Sequence, residues 1–98
     1  MEKQDILTFL QTHKTDLHNR FGVVRIGLLG SYARNEQKPD SDVDIAVEIK
    51  SSNTFRSFFG LKAYLEDNLH TTVDLGMINT IKPGARQSIQ QDIIYVET

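Results

Sequence analysis

Three short stretches of this chain carry residue types suited to chemistry on a phosphate. The apolar run Leu28-Leu29 stops at Gly30-Ser31. Glycine has no side chain to hold a ligand off the backbone. Ser31 adds a hydroxyl and main-chain N–H groups at a turn that opens a helix, where the dipole favours a phosphate. After ten further residues, Asp42 and Asp44 stand on either side of Val43. They are hard oxygen ligands of the kind Mg²⁺ takes, one or two carboxylates together with substrate phosphates. The combination suits a nucleoside triphosphate held between a turn and a cation. Asp74 lies in a later apolar segment. If it faces the same way, it either completes a two-metal arrangement or acts as base for an attacking hydroxyl. Catalysis would then be positioning and charge neutralisation in an in-line displacement.

These residues need elements that bring them together. Residues 23–29 are β-branched and apolar between two glycines and read as a largely buried strand. A turn or two of helix over residues 31–36, with Ser31 as its N-cap, leads to the Lys38-Pro39-Asp40-Ser41 loop. Residues 43–49 alternate, with Val43, Ile45, Val47 and Ile49 on one face and Asp42, Asp44, Ala46 and Glu48 on the other. The two aspartates therefore project from the same side. The link between these strands is too short for a parallel crossover, so they are expected to be antiparallel neighbours.

Around that pair, Ile6, Leu7, Leu10, Leu17 and Phe21 recur at helical spacing and predict one amphipathic helix over residues 3–21, stopped by Gly22. Ser51-Ser52-Asn53 offers a cap for a second helix, carrying Phe55, Phe58, Phe59, Leu61, Leu65 and Leu69, that covers the sheet. Residues 73–78 form a third strand with Asp74 opposite in sense to Val73, Leu75 and Met77. Pro83 suits the first turn of a short helix through about residue 91, and residues 93–96 form a terminal strand or extended tail.

Ninety-eight residues make one small domain over 1–98, with no room for a separate substrate-binding domain. Eleven Lys and Arg against thirteen Asp and Glu leave a net charge of −2 with no basic stripe, which argues against a long nucleic acid as substrate. The absence of cysteine excludes disulfides, thiolate zinc sites and cysteine nucleophiles. No basic segment precedes an apolar one at the start, and no run approaches the roughly 18 apolar residues of a membrane helix, so a cytoplasmic protein is expected. No two histidines have metal-ligand spacing, and His13, beside the first helical stripe, reads as packing. The stretch from Asp40 is no EF-hand, because Ile45 and Ser51 stand where glycine and glutamate are required.

Taken singly, Gly-Ser after a strand is a common turn, and Asp-x-Asp is often a solvated face. Jointly, Leu29-Gly30-Ser31 and Asp42-Val43-Asp44-Ile45 resemble the signature of the DNA polymerase β-like nucleotidyltransferase superfamily. Gly30-Ser31-Tyr32-Ala33-Arg34 with Ser41-Asp42-Val43-Asp44 is similar to its minimal nucleotidyltransferase branch, the small antitoxins paired with HEPN toxins. The similarity runs from the first helix to the tail. One departure is Asn35, where many members have glycine.

The resemblance implies an α/β (α+β) fold, a small mixed sheet flanked by helices. It implies Asp42, Asp44 and Asp74 as catalytic and metal-binding carboxylates, with two Mg²⁺ ions, and Gly30 and Ser31 at the phosphates of ATP. Arg34 would either touch those phosphates or face solvent or a partner. The implied activity is transfer of AMP from ATP to a tyrosine of a cognate HEPN toxin, which silences it. The alternatives are neutralisation by contact without catalysis, or nucleotidyl transfer to RNA or a small molecule. The aromatic-rich helix at Phe55, Phe58 and Phe59 gives a surface for pairing, as a homo-oligomer or with a partner.

Overall fold

The computed structural model of the chain describes residues 1–78 and 93–96. In chain order the elements are α1 Lys3–Thr12, α2 Lys14–Phe21, β1 Val23–Leu29, α3 Gly30–Ala33, β2 Val43–Ile49, α4 Thr54–Leu69, β3 Val73–Met77 and β4 Ile94–Tyr95. The strands form a mixed sheet in the order β3-β2-β1-β4. β1 pairs antiparallel with β2 and with β4, whereas β2 and β3 run parallel through the α4 crossover. The expected antiparallel pair is therefore present, and of the tail expected over residues 93–96, Ile94–Tyr95 form a short strand beside β1.

The fold follows from two stripes and one sheet face. Leu61, Leu65 and Leu69 of α4, with Ile6 and Leu10 of α1 and Leu17 of α2, bury against Ile26, Leu28, Val43, Ile45, Val47, Val73 and Leu75. Alternation along the strands leaves Leu29, Asp44 and Asp74 on the opposite face. α4 begins where predicted, because the Asn53 side chain accepts a hydrogen bond from the Arg56 N–H at 3.1 Å.

Two expectations are corrected. The single helix over residues 3–21 is two, divided at His13. Both the His13 N–H, at 3.0 Å, and its ring Nδ1, at 2.9 Å, approach the Phe9 carbonyl, and the ring stacks on Phe9 with centroids 4.2 Å apart. The N–H bond is the ordinary i to i−4 bond; the break is in the His13 backbone, with φ of −99° and ψ of 10°, while the ring shares the Phe9 carbonyl, and a new helix starts one residue later. The second correction is at Ser31, which lies inside α3 and caps nothing: Leu29 holds the N-cap position, with no side-chain cap bond. The chain reverses at Gly30, with φ of 74°, so the helix starts one residue early and lasts only four residues. The helix expected from Pro83 lies outside the described residues.

Asn35 has φ of 58°, in the left-handed region where glycine is easiest and asparagine is tolerated. Its presence where relatives by resemblance have glycine thus keeps the same turn. Replacing Asn35 with glycine is expected to leave stability unchanged or raise it. Asn35→Val is expected to cost about 1–2 kcal/mol in urea unfolding, because a β-branched side chain is strained at that φ.

Candidate active site

β1 delivers the chain to Gly30 at one end of the sheet, and Leu29 lies directly opposite Asp44 in the β1–β2 register. A Cβ placed on Gly30 would overlap the Asp44 carboxylate. Glycine is therefore needed here twice, for the positive φ and for the aspartate lying against its Cα. Tyr32 and Ala33 are buried and seat α3 on the core. That holds the turn and gives Tyr32 a role the Gly-Ser motif alone did not announce; the only cue was an aromatic residue directly after the serine.

The parallel register places Asp74 beside Asp44, their strands in pairwise alignment and both side chains on the face away from the helices. The Asp44 carboxyl is pushed above its ordinary range by partial burial first and then by the nearby charges of Asp74 and Asp42. A side-chain hydrogen bond with Asp74 raises it further, and the Arg34 guanidinium works in the opposite direction. Asp42, Asp44, Asp74 and Arg34 are thus electrostatic neighbours. Arg34 also reaches Glu36, with Nε 3.4 Å from Oε2. Gly30 and Ser31 adjoin the same group through Asp44.

Two supports were not foreseen. The Lys38 N–H donates to the Ser41 Oγ at 2.8 Å while the Ser41 N–H donates to the Lys38 carbonyl at 2.9 Å, closing the loop that precedes Asp42. Glu66 on α4 accepts from the Val73 N–H at 3.0 Å and from Lys62 Nζ at 3.1 Å, which pins the start of β3 one residue before Asp74. These bonds hold the Glu66 carboxyl below its ordinary range. In the sequence Glu66 shows only as half of an i, i+4 pair with Lys62.

As to a metal, Asp44 and Asp74 on one face with Asp42 as their electrostatic neighbour are all oxygen donors, and crowded like charges of this kind are relieved by a hard cation. In chemical type the donor set is the one Mg²⁺ takes. Among the described residues, no group of three His, Cys, Asp or Glu stands as a ready-made cage. A cleft of about 660 Å³ lies at the other end of the sheet around Arg20, Lys50 and Arg56. No carboxylate lines it, whereas the Asp44 group lies at the opposite end of the sheet.

A family model described as a nucleotidyltransferase domain matches residues 10–96. The chain belongs to the nucleotidyltransferase domain family. Within it, this nucleotidyltransferase is 41% identical over 93 residues to protein adenylyltransferase MntA of Thermococcus cleftensis, a match spanning 95% of this chain and 94% of the relative. A solved structure presented as a minimal nucleotidyltransferase superposes with a TM-score of 0.79 at 30% identity, covering 96% of this chain and 95% of the other. A toxin–antitoxin complex with AMP-PNP shares the fold, with a TM-score of 0.70 at 22% identity over 89% of this chain and 72% of that one. The family and the mixed α/β fold implied by the resemblance are thus both found, and with them a nucleotidyltransferase enzyme. Among the described residues, no helix is long and apolar enough to cross a membrane.

The raised Asp44 carboxyl has a consequence for stability. The folded state holds that proton more tightly than the unfolded chain, so stability falls as pH rises from the ordinary carboxylate range through the raised value. In metal-free buffer at neutral pH, Asp44→Asn should melt at a higher temperature than the native chain. The gap should close as pH is lowered through the raised value, a trend that thermal melts between pH 3 and pH 8 would reveal.

Proposed function

We propose that this nucleotidyltransferase is an antitoxin that transfers AMP from ATP to a tyrosine of a HEPN-type toxin, acting as a single minimal domain. The observation that carries the reading is the apposition of Asp44 and Asp74 in the parallel register, with Asp42 and Gly30-Ser31 beside them. Support for the partner comes from the relatives: one is a protein adenylyltransferase, and the AMP-PNP complex is a toxin–antitoxin pair.

In the reaction so proposed, the triphosphate lies along the turn, with Gly30 allowing close approach and Ser31 offering its hydroxyl and first-turn N–H groups. Arg34 balances phosphate charge from the rim. The tyrosine oxygen attacks the α-phosphorus in line with the bond to the bridging β-phosphate oxygen. That bond breaks as the new one forms, pyrophosphate leaves, and the phenolic proton passes to Asp74. Mg²⁺ ions held by Asp42, Asp44 and Asp74 would neutralise charge on the phosphates and on the leaving group. The small, unstriped surface suits an acceptor brought by a folded partner better than a polymer gripped along its length.

The test is incubation with labelled ATP, Mg²⁺ and the toxin encoded beside it. Label on a toxin tyrosine is expected, with Asp42→Asn and Asp44→Asn lowering the rate by on the order of 10²–10³-fold. Removal of Mg²⁺ with chelator should do the same. Toxin neutralised without label, equally well by both variants, would instead mean neutralisation by contact alone.

A further inference from the structure

The end of the sheet remote from the carboxylates carries a surface that nucleotide transfer does not use. α4 buries one stripe through Leu61, Leu65 and Leu69, yet Phe55 is 75% exposed and Phe59 52% exposed on its outer face. The two rings lie 4.7 Å apart, and Phe58 meets Phe59 edge-on at 5.3 Å, so they form a continuous aromatic ridge. Exposed aromatic clusters of this kind are costly in water and are the commonest anchors of protein interfaces.

Directly beside the ridge lies the cleft of about 660 Å³, with Arg56 and Gly60 of the same helix in its wall and Arg20 and Lys50 facing them. No Asp or Glu lines it. Lys50 and Arg56 make no ion pair among the described residues, whereas Arg20 is held by Asp16 at 3.7 Å and over the Tyr64 ring at 5.0 Å. Apolar ridge and cationic cleft share one helix turn. α4 has sixteen residues, a length of about 24 Å, and its other end leads to β3 and Asp74.

We propose that the Phe55 and Phe59 ridge, with the cationic cleft beside it, is a docking surface for an acidic amphipathic helix of a partner protein. Such a helix lays apolar side chains on the rings and places a carboxylate in the cleft. Charge complementarity selects this occupant. A second copy would bring its own cationic cleft into the same interface and so double the unpaired positive charge there. An anionic membrane would gain about 1 kcal/mol from each unpaired cation, short of stable anchoring, and a flat bilayer does not fill a concave cleft. The proposal does not rest on the transfer activity.

Fluorescence anisotropy with the full chain tests it. The probe is a labelled synthetic helix with leucines at i, i+3, i+4 and i+7 flanked by glutamates, compared with the same peptide carrying lysines. The acidic peptide should bind at least tenfold tighter than the basic one, and more weakly in high salt. Phe55→Ala with Phe59→Ala should lose at least tenfold, with the fold checked by circular dichroism. Arg56→Glu should cancel or reverse the charge preference, and it decides the matter if the double variant unfolds. Equal binding of both peptides, no response to the Phe variants, a sedimenting dimer dispersed by Phe55→Ser, or capture on phosphatidylserine vesicles without peptide binding would each overturn the proposal.

Discussion

The Asp44 carboxylate lies against the Cα of Gly30 and beside Asp74, and the surrounding structure is shaped by the need to hold it there. Partly burying the Asp44 carboxylate and setting it beside Asp74 costs free energy, as its raised carboxyl records. The chain tolerates this because the strands that carry them are fixed from behind by a close-packed apolar layer. A site that repels itself when empty attracts cations, and a nucleotide brings its own. In the proposed reaction the same crowding would favour the loaded protein over the free one.

Each element can be traced to that requirement. The antiparallel β1–β2 pair puts the turn at Gly30 next to the start of β2, so that turn and the carboxylates share one end of the sheet. The third carboxylate comes to the same end on a strand parallel to β2, and a parallel strand requires a crossover. α4 is that crossover, and Glu66 fastens its last turns to the first residue of β3. The long helix therefore serves the site twice, by covering the core and by setting the register of Asp74. Its first turns, at the far end, are left free to present aromatic rings to solvent.

Much of this could be read in the sequence, because the relevant signals are local. The alternation of residues 43–49 placed Asp42 and Asp44 on one face, and the short link from Ser31 required an antiparallel neighbour, as found. Asn53 as cap and Gly22 as stop act within a few residues of themselves, and both hold. The errors arose where a side chain competes with the backbone ladder or where a positive φ moves a boundary. His13 looks like a residue of one helix until its backbone leaves helical geometry and its ring shares the Phe9 carbonyl. Ser31 looks like a cap until Gly30 reverses the chain a residue earlier. Glu66 was invisible because its partner, the Val73 N–H, is a backbone group seven residues away.

The central claim is that Asp42, Asp44 and Asp74 hold the divalent cation of the nucleotide. It is tested most directly by anomalous scattering from crystals grown with Mn²⁺ and a non-hydrolysable ATP analogue. The account predicts manganese within coordination distance of the Asp42 and Asp44 oxygens, with Asp74 on the same ion or a second one, and the triphosphate along Gly30 and Ser31. Manganese bound elsewhere, or a nucleotide seated away from these three carboxylates, would contradict it.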